Sequence, residues 1–166
     1  MIESSEIPEE LTQLLAQLLR QKAYRMVVAE SCTGGWLAKV LTDLPGSSTW
    51  FDRGYVTYSN QAKQGMLGVN QQTLDQYGAV SLETVREMTR GAIHESGAEV
   101  AVAISGIAGP GGGSDEKPVG TVCFSFLISG SEPILDQIRF KGDRDQVRRQ
   151  SVVYALERLI EKLKHV

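Results

Sequence analysis

The feature that most constrains the fold is the stretch from Val27 to Ala38, where an apolar run stops at a serine, passes two glycines and continues as a helical pattern. A strand that enters a helix through such a turn leaves helix N–H groups directed at whatever lies above the sheet edge. Ser31 stands at that position, followed by Cys32 and Thr33. The pattern predicts a hydrolase nucleophile, and it is equally typical of a serine that only caps a helix.

Strand and helix patterns alternate along the rest of the chain. Five apolar runs predict strands, near residues 25–30, 48–59, 99–104, 119–128 and 134–140. Apolar residues at helical spacing predict six helices, the first with Pro8 in its first turn and the others beginning at Gly35, after Ser59, at Gln71, after Ser81 and after Asp143. This order predicts one domain over residues 1–166, a layered α/β/α fold with a mixed, mostly parallel central sheet of about five strands. Gly54, inside the second strand, is typical of a β-bulge.

Composition and charge argue against several classes of protein. The 166 residues carry a formal net charge of −3 with a pI near 5.4, which disfavours electrostatic binding of nucleic acid. No apolar run approaches the roughly 20 residues of a membrane helix, and residues 1–6 lack the features of a signal peptide. Two cysteines cannot form a disulfide framework. The sequence therefore predicts a soluble, cytoplasmic protein that binds neither nucleic acid nor membrane.

A serine nucleophile needs a base, and histidine is scarce in this chain. His94 lies near the far end of a helix and His165 is penultimate, so a Ser-His-Asp triad is disfavoured. A lysine base is an established alternative. Lys63 follows the second strand, and it would meet Ser31 at one sheet edge if that strand lies beside the first; desolvation would then lower its pKa. Tyr58 could relay or orient the proton, although a solvated lysine and a strand tyrosine with its hydroxyl in water are the more common explanations of the two residues.

Cys32 is the rival nucleophile. A cysteine here more commonly packs behind the turn, and side-chain alternation directs it away from Ser31. The carboxylates are scattered and histidine is almost absent, so the sequence predicts no metal site and no cofactor.

The glycine-rich segment 105–114 follows a predicted strand. It matches neither the P-loop nor G-x-G-x-x-G, so by itself it indicates an anion-binding loop or a mobile lid. Ser105 lies at the carboxyl end of its strand, where α/β sheets bind ligands. Arg144 stands at the start of the last helix, where it would reach a phosphate bidentately, although basic residues interleaved with Asp143 and Asp145 also suit a solvated face.

Several segments together resemble the CinA C-terminal domain family. They are residues 29–35, 46–48, 54–60, 63, 78–81, 105–112 and 117–122. The similarity covers nearly the whole chain in the same order. It implies the family's activity, which is hydrolysis of the carboxamide of nicotinamide mononucleotide to nicotinic acid mononucleotide and ammonia. The chain resembles the stand-alone form, without an N-terminal molybdopterin-binding-like domain.

The resemblance also implies roles for individual residues. Ser31 matches the nucleophile, Lys63 its general base and Tyr58 a supporting hydroxyl, and family members are commonly homodimers. The residues expected to bind substrate are Thr33, Gly34, Gly35, Ser105, Gly106, Gly109 and Arg144. The N–H groups of residues 33–35 are expected to hold the oxyanion, and Arg144 (or the nearby Arg148) the 5′-phosphate. A non-catalytic nucleotide-binding module and an amidase for another small amide are the alternatives.

Overall fold

The computed structural model describes residues 6–166, in which a five-stranded sheet lies between two layers of helices. The helices are α1 (Glu9–Lys22), α2 (Trp36–Thr42), α3 (Asn60–Leu67), α4 (Gln71–Tyr77), α5 (Leu82–Ser96) and α6 (Arg144–Leu163). The strands are β1 (Met26–Glu30), β2 (Phe51–Val56), β3 (Val100–Gly106), β4 (Thr121–Ile128) and β5 (Ile134–Arg139), and a 3-10 helix spans Ser47–Thr49. Residues 1–5, for which the sequence predicts no targeting segment, lie outside the described residues.

The strands are arranged in the order β2-β1-β3-β4-β5. Strand β1 pairs in parallel with β2 and β3, whereas β4 is antiparallel to both β3 and β5. Four of the five described strands therefore run in one direction, which confirms the mixed, mostly parallel sheet and the layered α/β fold. The carboxyl ends of β1, β2, β3 and β5 consequently meet at one edge of the sheet.

The side chains of β1 alternate between two hydrophobic cores. Met26 and Val28 pack with residues of α1, α2 and α6 on one face of the sheet. Val27 and Ala29 pack with residues of α3, α4 and α5 on the other. Because both faces are buried, β1 is a continuous apolar run rather than an alternating one.

Several predicted helix starts are confirmed by their capping bonds. Ser59 and Ser81 each accept the backbone N–H three residues further on, and Asp143 forms a capping box with Gln146. These signals are local in sequence, so they fix α3, α5 and α6 independently of the sheet.

The second strand is shorter than the predicted segment 48–59, because its first residues form the 3-10 helix instead. The register between β1 and β2 skips Asp52, so the irregularity does not fall at the predicted Gly54. Glycine is favoured at position 54 for another reason, which is the lack of space for a side chain. A Cβ there would lie 3.2 Å from the Val28 Cγ2, closer than ordinary packing allows.

Candidate active site

Ser31 directly follows β1, the strand between β2 and β3. Its N–H donates to the Ile104 carbonyl over 2.9 Å, which extends the β1–β3 pairing by one residue. The chain then turns through Gly34 and Gly35 at φ values of 61° and 99°, which glycine adopts without steric cost. The turn places Ser31 at the carboxyl edge of the sheet.

Lys63 reaches Ser31 from the first turn of α3. Lys63 is 0% exposed and Ser31 is 8% exposed. The Lys63 Nζ donates to the Ser31 Oγ over 2.9 Å, to the Thr57 carbonyl over 2.7 Å and to the Tyr58 carbonyl over 3.5 Å. The two side chains meet because β2 lies beside β1, the arrangement on which the prediction depended.

Burial lowers the pKa of Lys63 from 10.5 to about 8. Among residues 6–166, no carboxylate forms an ion pair with Lys63 that would counter this shift. The two main-chain carbonyls accept N–H groups of the amine in either protonation state. The lone pair of neutral Lys63 is therefore left for the Ser31 hydroxyl, and both geometry and pKa suit a general base.

Ser31 and Lys63 line a cavity of about 250 Å³. Seven of the ten predicted site residues line it, namely Ser31, Tyr58, Lys63, Ser105, Gly106, Gly109 and Arg144. A larger groove of about 980 Å³ lies between α1, α2 and α6, and none of the ten residues lines that groove. The smaller cavity is therefore the candidate active site.

Arg144, the first residue of α6, bridges two walls of the cavity. Its Nη1 donates to the Gly109 carbonyl over 2.8 Å and its Nη2 to the Tyr58 hydroxyl over 3.1 Å. Both acceptors are neutral, and no carboxylate in the described part of the chain forms an ion pair with Arg144. Its charge therefore remains available to an anion. The Tyr58 hydroxyl thus contacts Arg144, and only the main-chain carbonyl of Tyr58 contacts Lys63.

Arg148, one turn further along α6, contacts a different part of the site. Its Nε donates to the Cys32 carbonyl over 3.0 Å and its Nη2 to the Thr33 carbonyl over 3.3 Å. Its guanidinium also lies 5.6 Å from the ring centre of Trp36. Of the two arginines considered for the phosphate, Arg144 lines the cavity and Arg148 holds the turn after Ser31.

Thr33, Gly34 and Gly35 lie outside the cavity lining. The Thr33 hydroxyl donates to Glu30, and the Gly34 N–H donates to the Ser31 carbonyl over 3.0 Å. An N–H that is already bonded within the turn is not free to stabilise an oxyanion. The Gly34 N–H is therefore already used within the turn, and none of the three residues lines the cavity at which the sequence expects them to act.

Ser105 ends up buried at the carboxyl end of β3. Its hydroxyl donates to the Ala79 carbonyl over 2.8 Å, which links β3 to the α4–α5 connection. That connection supplies Ala79 and Val80 to the cavity wall, a contribution that the sequence analysis missed. Gly106 also lines the cavity, and a Cβ there would lie 2.7 Å from the Val122 Cγ2.

Cys32 borders the cavity, and it also packs in the hydrophobic core with residues of α1, α2 and α6, as predicted for a cysteine that packs behind the turn. Burial raises the pKa of its thiol to about 12, so the thiol is protonated at neutral pH and poorly nucleophilic. His94 and His165 are exposed and lie outside the cavity lining, as the sequence predicts. Ser31 is therefore the better-placed nucleophile.

Glu30 is the main residue that sequence reasoning missed. It is fully buried, and its carboxylate accepts hydrogen bonds from the Thr33 hydroxyl and from the backbone N–H groups of Leu37 and Ala38. A buried carboxylate must be hydrogen-bonded or paired. An acidic residue at the end of a continuous apolar strand was the signal that could have identified it.

Within residues 6–166, no three His, Cys, Asp or Glu side chains are grouped so that they could hold a metal ion. No helix in this range combines the length and the apolar character that crossing a membrane requires.

The fold and the site together define an α/β domain with a buried Ser-Lys pair and an arginine at the carboxyl edge of its sheet. Residues 8–163 match the family described as the CinA C-terminal domain. The chain belongs to this family.

Curated relatives include a nicotinamide-nucleotide amidohydrolase PncC from Escherichia coli (strain K12), 55% identical over 150 residues that cover 90% of this chain and 91% of the relative. The protein of the same name from Pseudomonas putida is 50% identical over 147 residues, with coverage of 89% and 91%. A longer CinA-like protein from Geobacter sulfurreducens is 47% identical over 149 residues, which are 90% of this chain and 36% of that protein.

Solved structures show the same fold. The competence/damage inducible protein CihA from Agrobacterium tumefaciens matches with a TM-score of 0.90 at 44% identity, covering 94% of each chain. A CinA superfamily protein from Klebsiella pneumoniae 700603 matches with a TM-score of 0.91 at 42% identity, covering 95% of this chain and 98% of that one.

Proposed function

We propose that this chain hydrolyses the carboxamide of nicotinamide mononucleotide to nicotinic acid mononucleotide and ammonia. The observation that carries the proposal is the buried contact of 2.9 Å between the Lys63 Nζ and the Ser31 Oγ within a cavity. Relatives at 50–55% identity are named as nicotinamide-nucleotide amidohydrolases, which supplies the substrate. Arg144, on the same cavity, suits the phosphate of that substrate.

The reaction proceeds in two steps on Ser31. Neutral Lys63 takes the hydroxyl proton as the Ser31 Oγ attacks the carboxamide carbon. The protonated Lys63 then gives a proton to the leaving nitrogen, the C–N bond breaks and ammonia departs. Water next attacks the acyl-serine while Lys63 accepts its proton. Lys63 returns this proton to the Ser31 Oγ as the acyl–oxygen bond breaks, and nicotinic acid mononucleotide leaves as the carboxylate, its acid proton passing to solvent. One water is consumed and one ammonia released in each turnover.

The oxyanion needs an N–H donor that faces the cavity. The sequence predicts donors in residues 33–35, but these lie outside the cavity lining and the Gly34 N–H is already bonded. We therefore assign the role to the backbone N–H of Cys32, because Cys32 directly follows the nucleophile and lines the cavity. One such donor typically contributes about 3 kcal/mol to the transition state.

The phosphate is assigned to Arg144 and the glycine-rich segment. The guanidinium donates only to the neutral Gly109 carbonyl and Tyr58 hydroxyl, and a phosphate is a stronger acceptor for the same N–H groups. Tyr58 accordingly acts by orienting Arg144. This differs from the expectation that its hydroxyl supports proton transfer.

The decisive experiment compares ammonia release from nicotinamide mononucleotide and from nicotinamide with purified protein. We expect release from the mononucleotide, a loss of at least about a thousandfold in Ser31→Ala, and retained activity in Cys32→Ala. Equal turnover of nicotinamide would instead indicate an amidase that does not use the phosphate. Binding of the mononucleotide without ammonia release would support a non-catalytic module.

We further propose that the chain is one domain that acts as a homodimer in the cytoplasm, in salvage of pyridine nucleotides. Val56 and Met66, which are 45% and 43% exposed, are single apolar residues of a kind common on protein surfaces, so the homodimer rests on the family resemblance. Both cysteines are free thiols, as a reducing compartment permits. Light scattering tests the assembly, because a mass equal to the 18.1 kDa of one chain would exclude a stable dimer.

A further inference from the structure

Glu30 carries three hydrogen bonds although it lies in none of the cavity walls. It ends β1, immediately before Ser31, and it is 0% exposed. Its Oε1 accepts from the Thr33 hydroxyl over 2.6 Å and from the Leu37 N–H over 2.9 Å, and its Oε2 accepts from the Ala38 N–H over 3.0 Å. One carboxylate thus joins the end of β1, the turn and the start of α2.

These bonds replace a cap that α2 otherwise lacks. The N-cap residue of α2 is Gly35, which has no side chain to accept the first N–H groups of the helix. Glu30 supplies the missing acceptor from the opposite end of the turn, and its negative charge lies at the positive end of the helix. The position of α2 relative to β1 therefore depends on Glu30.

Arg148 binds the carbonyl groups of the same turn, whereas Glu30 binds its N–H and hydroxyl donors. Glu30 accepts from donors of the turn and of α2, whereas Arg148 donates to the carbonyls of Cys32 and Thr33. The turn that follows Ser31 is thus fixed by a buried acid and a partly buried base that contact different backbone groups. Neither residue touches the cavity, so neither is available to contact a substrate there.

We propose that Glu30 is a positioning residue that holds the Ser31 Oγ within hydrogen-bonding distance of the Lys63 Nζ, an inference that rests on the proposed serine-lysine chemistry. Without the Glu30 acceptors, the start of α2 loses its anchor to β1, and the turn between them is free to shift. A shift of about 1 Å at reacting atoms costs on the order of a hundredfold in rate. Substrate binding, by contrast, depends on Arg144 and the glycine-rich segment, which Glu30 does not contact.

Glu30→Gln tests this role, because glutamine keeps the shape of the glutamate side chain but replaces one accepting oxygen with an NH₂ group. That group cannot accept a hydrogen bond from the donor it faces. We expect kcat to fall about 10- to 100-fold while KM for nicotinamide mononucleotide changes less than about threefold. The rate at which a fluorophosphonate probe labels Ser31, followed by mass spectrometry, should fall in parallel. The labelling needs no substrate, so it tests the geometry even if ammonia release fails and the proposed function with it.

Thr33 provides a second, milder test of the same network. Thr33→Val removes one of the three donors to Glu30, and we expect a smaller loss of kcat and of labelling rate. Thr33→Ser keeps the hydroxyl and should recover most of that loss. This pair decides the question if Glu30→Gln does not fold.

Glu87→Gln is the matched control. Glu87 also holds the start of a helix, since it accepts from the Asn70 N–H and the Thr73 hydroxyl at α4, and it does not line the cavity. We expect this variant to lower the melting temperature but to leave kcat and the labelling rate unchanged. The inference is overturned if folded Glu30→Gln retains parental kcat and labelling, or if Glu87→Gln loses both to the same extent.

Discussion

The sharpest prediction concerns the pH dependence of the reaction, because it follows from the burial of one lysine. Burial lowers the pKa of Lys63 from 10.5 to about 8. Only the neutral amine can accept the Ser31 proton. With a pKa near 8, about a tenth of Lys63 is neutral at pH 7 and about nine-tenths at pH 9. We therefore expect kcat/KM to rise about tenfold over this range and then to level off.

The assay is continuous detection of ammonia from nicotinamide mononucleotide between about pH 6.5 and about pH 10, a range that extends on both sides of the expected midpoint. The phosphate of the substrate titrates near pH 6, so its charge is constant over the informative part of the profile. Lys39→Met is the matched control, because the Lys39 side chain is 69% exposed and is paired with Asp43. It should leave both the midpoint and the plateau unchanged.

Two outcomes would contradict this reasoning. A midpoint near 10.5 would mean that the protein does not desolvate Lys63 as its burial implies. A profile that is flat from pH 7 to 9, with the chemical step shown to limit the rate, would mean that Lys63 is not the base. Lys63→Arg should be inactive if Lys63 accepts the Ser31 proton, because arginine stays charged.

The remaining predictions follow from the same contacts. Lys63→Met should be more stable than the parent by about 1–3 kcal/mol at pH 7, where Lys63 of the parent is mostly protonated in both the folded and the unfolded state. The parent should gain stability from pH 8 to 10.5, because the unfolded state binds more protons over this range, and urea titrations would show both effects. Arg144→Met should raise KM for nicotinamide mononucleotide about 10- to 100-fold in steady-state assays, as loss of a charge-assisted hydrogen bond predicts. Thr57→Val should raise the melting temperature by about 2–4 °C, because the buried Thr57 Oγ1 has no partner among the described residues. The buried Cys32 should resist iodoacetamide at pH 7.5 in the folded protein and react in urea, as mass spectrometry would show.

The elements that the sequence predicts well are those whose signals are local. The apolar run of β1 and the caps Ser59, Ser81 and Asp143 each depend on a few neighbouring residues, and all are confirmed. The proximity of Lys63 to Ser31 required one non-local assumption, the pairing of β2 with β1. That assumption is plausible from the order of elements, but no local pattern guarantees it.

The parts that sequence reasoning left open or missed depend on tertiary geometry. Arg144 and Arg148 lie one turn apart on the same helix, and only the placement of α6 decides which one lines the cavity. The N–H groups of residues 33–35 were expected to face the ligand, but the turn uses the Gly34 N–H internally. The Thr57 carbonyl that holds Lys63 is a main-chain atom, so no residue type in the sequence marks it.

The two buried charges on either side of Ser31 explain why a lysine can serve as its base. Lys63 is held by main-chain carbonyls and Glu30 by N–H and hydroxyl donors, and neither forms an ion pair within residues 6–166. An ion pair between a carboxylate and Lys63 would favour the ammonium form and raise the pKa away from neutrality. Because neutral backbone groups satisfy Lys63, its position is fixed while desolvation still lowers the pKa. Because Glu30 is bonded to the start of α2, its charge stabilises the turn and leaves Lys63 free to accept a proton.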